Sequence, residues 1–260
     1  MRRWIGLVIL LQGCATQVDL KPLSASEGLD SPPMRQVLQV RKPSLTLDDG
    51  QVLARQEDLR QGDIILTSGP SLTAASIQLL TLAPVSHAAV YIGNGEVVEA
   101  VVSGVRVRRI EELLASEVAV VALRYPDLSE QQAAEIRAYA LRQVGAPFNL
   151  MGLMLHMPLS IQRAACELPL APLGARDACI RTVGSIQQLS PRSSQFFCSQ
   201  LVLQAYRHAG VPITSADSRI VSPADILHMR EGDVPSIRGS RKLAHVGLLK
   251  RAPLPEPAFD

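Results

Sequence analysis

Phe196-Phe197-Cys198-Ser199-Gln200-Leu201-Val202-Leu203-Gln204-Ala205-Tyr206 is the stretch on which the reading of this chain turns. Val202, Ala205, Tyr206 and Ala209 recur at helical spacing, and Gly210 with Pro212 behind it supplies a stop. Cys198 therefore falls in the first turn of a helix. A thiol there faces backbone N–H groups without intrahelical partners and the positive end of the helix dipole, and both favour the thiolate. Such a cysteine is a candidate nucleophile if a base can reach it. The competing reading is a small core residue, which describes most cysteines. The rest of the chain has to separate the two.

Upstream, Gly62-Asp63-Ile64-Ile65-Leu66-Thr67 reads as a strand after a turn, and Ser68-Gly69-Pro70 closes it. A helix is expected over Ser71 to Thr81. Ser86 to Ile92 is a strand, Gly93-Asn94-Gly95 turns the chain, and strands follow at Glu96 to Val101, Gly104 to Arg109 and Val118 to Arg124. Strands joined this closely pair antiparallel. Ser129 to Val144 is the clearest helix. Ser129 and Gln132 form a capping box, Glu130 and Glu135 lie early, Arg142 lies late, and Gly145 ends it. Ala133, Ile136, Ala140 and Val144 make its apolar stripe.

Residues 146–195 carry five prolines, the Met-rich run Leu150 to Met157, and two cysteines, without a clear period. A segment of that kind is usually functional or disordered. In an oxidising compartment Cys166 and Cys179 either bridge or remain two buried thiols, and spacing leaves both open. Downstream, Ser222-Pro223 opens a short helix with Ser as N-cap and Pro at its first position. Lys242 to Leu249 reads as a last strand, and residues 251–260 as a tail.

With 260 residues and 47% hydrophobic content, the chain can bury one good core. Its N-terminus looks like an export signal. Met1-Arg2-Arg3 is a positive n-region, and Trp4 to Leu11 is an apolar stretch too short to span a bilayer. Leu11-Gln12-Gly13-Cys14 resembles the bacterial lipobox, which implies lipidation of Cys14 once residues 1–13 are removed. Ala15, rather than an aspartate, resembles the pattern sorted to the outer membrane facing the periplasm. Removing Arg2 and Arg3 takes the formal charge from +2 to zero. A neutral chain lacks the electrostatic footprint of a nucleic-acid binder, and that class is set aside. Residues 14–58, punctuated by Pro and Ser, are expected to be a tether in which Met34 to Val40 could form a short turn of helix. The compact domain is expected over residues 59–250.

Five histidines are available to Cys198. His208 lies at the far end of the same helix and cannot reach. His228 and His245 sit in short elements near the end, and His156 lies in the irregular segment. His87 opens an apolar strand, where packing gives no reason for it. A zinc site would need a third or fourth convergent ligand, commonly at short spacing, and no such pair exists. No metal or cofactor is expected.

Gly62-Asp63-Ile64-Ile65, Ser86-His87-Ala88, Tyr91-Ile92-Gly93-Asn94-Gly95, Val98-Glu99-Ala100 and Phe197-Cys198-Ser199-Gln200-Leu201 together resemble the permuted papain-like cysteine hydrolases, the circularly permuted NlpC-type group with its YiiX/YaeF-like lipoproteins. In that group the histidine strand precedes the cysteine helix, as here. The resemblance covers roughly residues 60–145 and 195–230. It implies an α+β fold, an antiparallel sheet packed against helices. It also implies Cys198 as nucleophile, His87 as general base and Glu99 as the group that orients the imidazole. The chemistry would be attack by thiolate, an acyl-enzyme, and deacylation. The substrate implied is a cell-wall stem peptide or small peptide. Gln200 stands where many members carry a glutamate, a difference expected to touch packing rather than catalysis. The 146–195 segment has no clear counterpart.

Register tests Glu99. A plain two-residue turn at Asn94-Gly95 would set Gly93 opposite Glu96 and Val90 opposite Glu99, turning Glu99 away from His87. A three-residue loop with a bulge at Gly95 sets Ala89 opposite Glu99 and makes Glu99 a diagonal neighbour of His87. The triad is expected to require the bulged form. Two other functions compete: a lipid-directed acyl hydrolase or acyltransferase, with the Met-rich run as an apolar lid, and a non-catalytic envelope binding protein. The first would show as fatty-acid release from phospholipid. The second would show as a Cys198→Ser variant with full cellular function.

Overall fold

The computed structural model describes residues 54–70, 85–149, 166, 178–179, 182 and 196–251 with their side chains, and 16–22 and 34–40 as backbone. Six strands form one antiparallel sheet: β3 (Ile64–Ser68), β4 (His87–Gly93), β5 (Glu96–Val101), β6 (Gly104–Arg109), β7 (Ala119–Arg124) and β8 (Ala244–Lys250), in the order β6-β5-β4-β3-β7-β8. Every pairing among them is antiparallel, and the short turns at β4-β5 and β5-β6 require it there.

Two apolar clusters bury the two sides of the central strands. Ile64, Leu66, Val90 and Val98 lie in one, with Ile136 and Ala140 of α2 (Glu130–Arg142) and Leu201, Val202 and Tyr206 of α3 (Cys198–His208). Ile65, Ala89, Tyr91 and Val97 lie in the other, with Ile110 and Leu113 of α1 (Ile110–Ser116) and Leu59. This explains why β3 and β4 read as continuous apolar runs rather than as alternating ones. Alternation still sorts the side chains: Ala89 and Tyr91 of β4 face the α1 side, and Ala88, Val90 and Ile92 the α3 side.

The chain before β3 is anchored by charge. Asp63 is buried, and its carboxylate takes two bonds from Arg124, Nε to Oδ1 at 2.8 Å and Nη2 to Oδ2 at 2.7 Å. It also accepts the Arg60 N–H at 2.7 Å. Beside it, Gly62 has φ +93° and its carbonyl accepts the Tyr206 hydroxyl, tying α3 to the sheet. A Cβ at Gly62 would lie 2.5 Å from Leu128 Cδ2. Leu128 can yield, but the left-handed backbone cannot. Gly62→Ala is therefore expected to cost about 1–2 kcal/mol. A urea midpoint unchanged from wild type would contradict that account.

α2 has the capping box its sequence announces. Ser129 Oγ accepts Gln132 N–H, Gln132 Oε1 accepts Ser129 N–H, and Gly145 follows with φ +88°. Ala133, Ile136 and Ala140 are buried, whereas Val144 is 45% exposed because the helix ends at Arg142 and the stripe is not extended to it. α4 (Pro223–His228) begins as read, with Ser222 capping and Asp225 completing a capping box. Cys166 and Cys179 are bonded to one another, with Cα atoms 5.7 Å apart.

Two expectations need correction, and a third difference is an element not anticipated. β1 (Thr16–Pro22) and β2 (Met34–Val40) pair antiparallel from Thr16↔Val40 to Pro22↔Met34, so the stretch read as a tether contains two paired strands and Met34–Val40 is not helical. The backbone answers a weak pattern in Val18, Leu20, Val37, Leu38 and Val40 that the surrounding prolines and serines obscure. The folded body also starts before Leu59: Ala54 is buried and its N–H reaches Leu248 O at 2.9 Å. The third is α1, absent from the sequence reading because seven residues offer too little periodicity. Cys14, His156, the Ser71–Thr81 helix, the Met-rich run and residues 252–260 lie outside the described residues.

Candidate active site

His87 is the first residue of β4, and Glu99 lies mid-way along β5. The turn between these strands is the plain two-residue one, Asn94-Gly95, with φ +56° and +75° and Gly93 paired with Glu96. The register then shifts between Tyr91 and Gly93, leaving Ile92 as the extra residue, so that Tyr91 pairs with Val97 and Ala89 with Glu99. The expectation that a plain turn would turn Glu99 away is corrected: the bulge is present, but in the strand rather than in the loop. Glu99 becomes the diagonal neighbour of His87, and Glu99 Oε2 lies 2.9 Å from His87 Nε2.

Cys198 is the first residue of α3, after Phe197 as N-cap, which supplies no side-chain cap. Its sulfur bonds the His87 side chain and receives the backbone N–H groups of Ala88 and Ser199. Strand β4 thus delivers the imidazole from one residue and an N–H from the next, and the helix start delivers the thiol. Cys198 is 8% exposed. Within the pair, the His87 side chain is 19% exposed and that of Glu99 1%, so water reaches the imidazole and not the carboxylate behind it.

The protonation states follow from these contacts. Burial alone would push the Cys198 thiol up, but its bond to His87, the imidazolium charge and the two backbone donors hold it below its ordinary value. Burial likewise works against a charged His87. Its bonds to Cys198 and Glu99 outweigh that and raise it from 6.5 to about 10. Glu99, despite its burial, is held down to about 2 by His87 and Arg106. These contacts favour the thiolate, imidazolium and carboxylate forms of the three groups.

Glu99→Gln removes one of the two partners that raise His87. The His87 midpoint is expected to fall from about 10 by about 1–2 units, read from imidazole resonances. A raised histidine stabilises the fold fully below 6.5 and loses that contribution as pH rises through about 10. In Glu99→Gln the alkaline loss should start at lower pH. An unmoved midpoint would dissociate Glu99 from His87.

Three charged residues complete the surroundings. Arg106, opposite Glu99 on β6, brings Nε and Nη2 each to 2.8 Å from Glu99 Oε1. Arg108 Nη1 lies 3.7 Å from the same oxygen and 3.8 Å from Glu117 Oε1. Glu117 Oε2 accepts the Thr67 hydroxyl at 3.0 Å, and Thr67 pairs with His87 across β3 and β4. Sequence reasoning missed these groups. The signal was the tight Val101-Val102-Ser103-Gly104 connection, which sets Arg106 opposite Glu99. The other described histidines are elsewhere: His208 meets Arg142 at 3.0 Å, and His228 is buried against Asp233 at 3.0 Å. His245 sits in β8.

Residues 58–153 match the family model described as permuted papain-like amidase enzyme, YaeF/YiiX. Over 252 residues the chain is 28% identical to the probable lipoprotein peptidase YaeF of Escherichia coli, covering 96% of this chain and 92% of that protein. A crystal structure of the metalloprotein yiiX from Escherichia coli O157:H7 aligns with 75% of this chain and 99% of its own, at 18% identity and a TM-score of 0.44. The matched family segment contains His87 and Glu99, and Cys198 falls beyond it.

Proposed function

We propose that this chain is a permuted papain-like cysteine hydrolase of the peptidase or amidase kind, with Cys198, His87 and Glu99 as its catalytic machinery. The single observation that carries this is the buried line from the sulfur at a helix start, through His87, to a carboxylate 2.9 Å behind the ring.

With Nε2 occupied by Glu99, Nδ1 is the nitrogen left for the sulfur. The thiolate of Cys198 adds to the carbonyl carbon of an amide, and the electron pair moves to the oxygen. The Cys198 backbone N–H, which has no intrahelical acceptor in the first turn of α3, is the proposed donor to that oxyanion. Collapse breaks the C–N bond, and the imidazolium gives its proton to the departing amine. A thioester remains. Water then attacks it while His87 takes a proton, the carboxylic acid leaves, and the thiolate–imidazolium pair is restored. Glu99 keeps the ring oriented throughout and stabilises it whenever it carries the proton.

The substrate class is argued from the compartment. The lipobox-like Leu11-Gln12-Gly13-Cys14 and the lipoprotein relative support an envelope protein held by a lipid on Cys14, on the outer membrane facing the periplasm. Amide bonds accessible there include those of cell-wall stem peptides, and these are the proposed substrates. The test is alkylation of Cys198 as a function of pH, in wild type and His87→Ala, followed by turnover of stem peptides and of phospholipid. Thiolate reactivity below pH 7 that disappears in His87→Ala, with amide cleavage, is the expected result. Free-thiol behaviour in wild type would sink the reading, and fatty-acid release without amide cleavage would move it to lipid.

A further inference from the structure

We propose that Arg106 is a positioning residue of this site, gripping Glu99 Oε1 so that Oε2 is turned onto His87 Nε2. The inference rests on the catalytic reading above and adds a fourth member to it. Glu99 has two oxygens and the structure divides them cleanly. Oε2 meets the imidazole at 2.9 Å, while Oε1 takes both Nε and Nη2 of Arg106 at 2.8 Å. A carboxylate with one oxygen engaged by a guanidinium through two nitrogens cannot rotate about its terminal torsion without breaking that grip. The imidazole therefore meets an acceptor whose direction is already fixed.

The charge balance around Glu99 makes the same demand. The carboxylate is buried, and burial alone would favour its neutral form. Facing it are His87 from β4 and Arg106 and Arg108 from β6, with Cys198 beyond His87 and Glu117 beyond Arg108. Arg108 stands off at 3.7 Å and is shared among Glu99, Glu117, the Glu112 carbonyl and the Ser116 hydroxyl. Arg106 has Glu99 alone as its ion-pair partner among the described residues, and half of its side chain faces solvent. The two-nitrogen contact, on the oxygen that the histidine does not use, is what a positioning role requires.

The substitution is mild because Arg106 stands on an edge strand and is 48% exposed. In Arg106→Gln the Glu99 carboxyl, followed by its 13C resonance, should titrate about 1–2 units above its wild-type midpoint. Alkylation of Cys198 at pH 6 should slow by about 3- to 10-fold. Arg106→Lys, which restores the charge with a single point donor, should recover most of the titration shift but less of the rate. Arg109→Gln, on the same strand but paired with Glu111, should match wild type in both. If alkylation in wild type does not depend on His87, the catalytic reading falls and takes this proposal with it. If it does depend on His87 while Glu99 titrates identically in Arg106→Gln and wild type, the positioning role alone is overturned.

Discussion

Cys198→Ala should reduce kcat for any amide that the wild type turns over by about a millionfold, the scale seen when a nucleophile is removed from a group that acts as a unit. The loss should appear in kcat and not in KM, because the sulfur makes its bond only along the reaction coordinate. His87→Ala should cost nearly as much, and the double variant should be scarcely worse than either, since one residue has no function without the other. Additive losses would mean that the two act independently and would contradict the buried line of contacts. Structure should survive: Cys198 is the first residue of α3, and Leu201, Val202, Ala205 and Tyr206 hold that helix on the sheet without it. Isotope-edited spectra should then show His87 titrating far below about 10, because its largest raising partner is gone.

The largest effect on stability is expected at Asp63, a residue that the sequence places in a recognisable motif but that has no part in the chemistry. Asp63→Ala strips Arg124 of both carboxylate bonds and leaves the Arg60 N–H without its acceptor. Breaking a buried pair from one side typically costs about 3–5 kcal/mol. Arg124 keeps 24% of its surface in water, which places the expected cost near the low end, about 3 kcal/mol. For a folded body of this size that is about 6–12 °C in Tm. Asp63→Asn, which keeps an acceptor for Arg60 but not the charge, should lose less. Urea unfolding measures both, and a cost below about 1 kcal/mol for Asp63→Ala would assign the ion pair to the surface class. Because Gly62 and Tyr206 adjoin Asp63, a destabilised variant should fray first where α3 meets β3.

The sheet and the site were legible in the sequence to different depths. Strands β3 to β8 declared themselves through short apolar runs, bounded by glycine at β3 and at the β4-β5 and β5-β6 turns, and α2 through its capping box, because those signals are local. Cys198 was legible from the helical spacing behind it, and His87 from being out of place at the head of an apolar strand. Glu99 was not decided by local rules, since one residue of register separates a partner of His87 from its opposite. The Ile92 bulge that settles it has no strong composition signal. Arg106 was harder still: its role depends on a second hairpin being in register with the first. β1 and β2 failed for another reason, since Pro22, Pro32 and Pro33 around them argue for a linker and only pairing between distant segments overrides that argument.

The order of the chain has a consequence for when this enzyme becomes dangerous. His87 and Glu99 come early, Cys198 comes late, and the β8 edge that closes the sheet against β7 comes later still, with Ala54 tied to Leu248. Contacts between such distant positions form slowly, since the connecting chain must first be closed into a loop. An incompletely folded chain therefore carries its histidine and carboxylate without a thiol, and then a thiol without a partner. On the proposed catalytic reading, a reactive thiolate forms only once these distant segments have folded together.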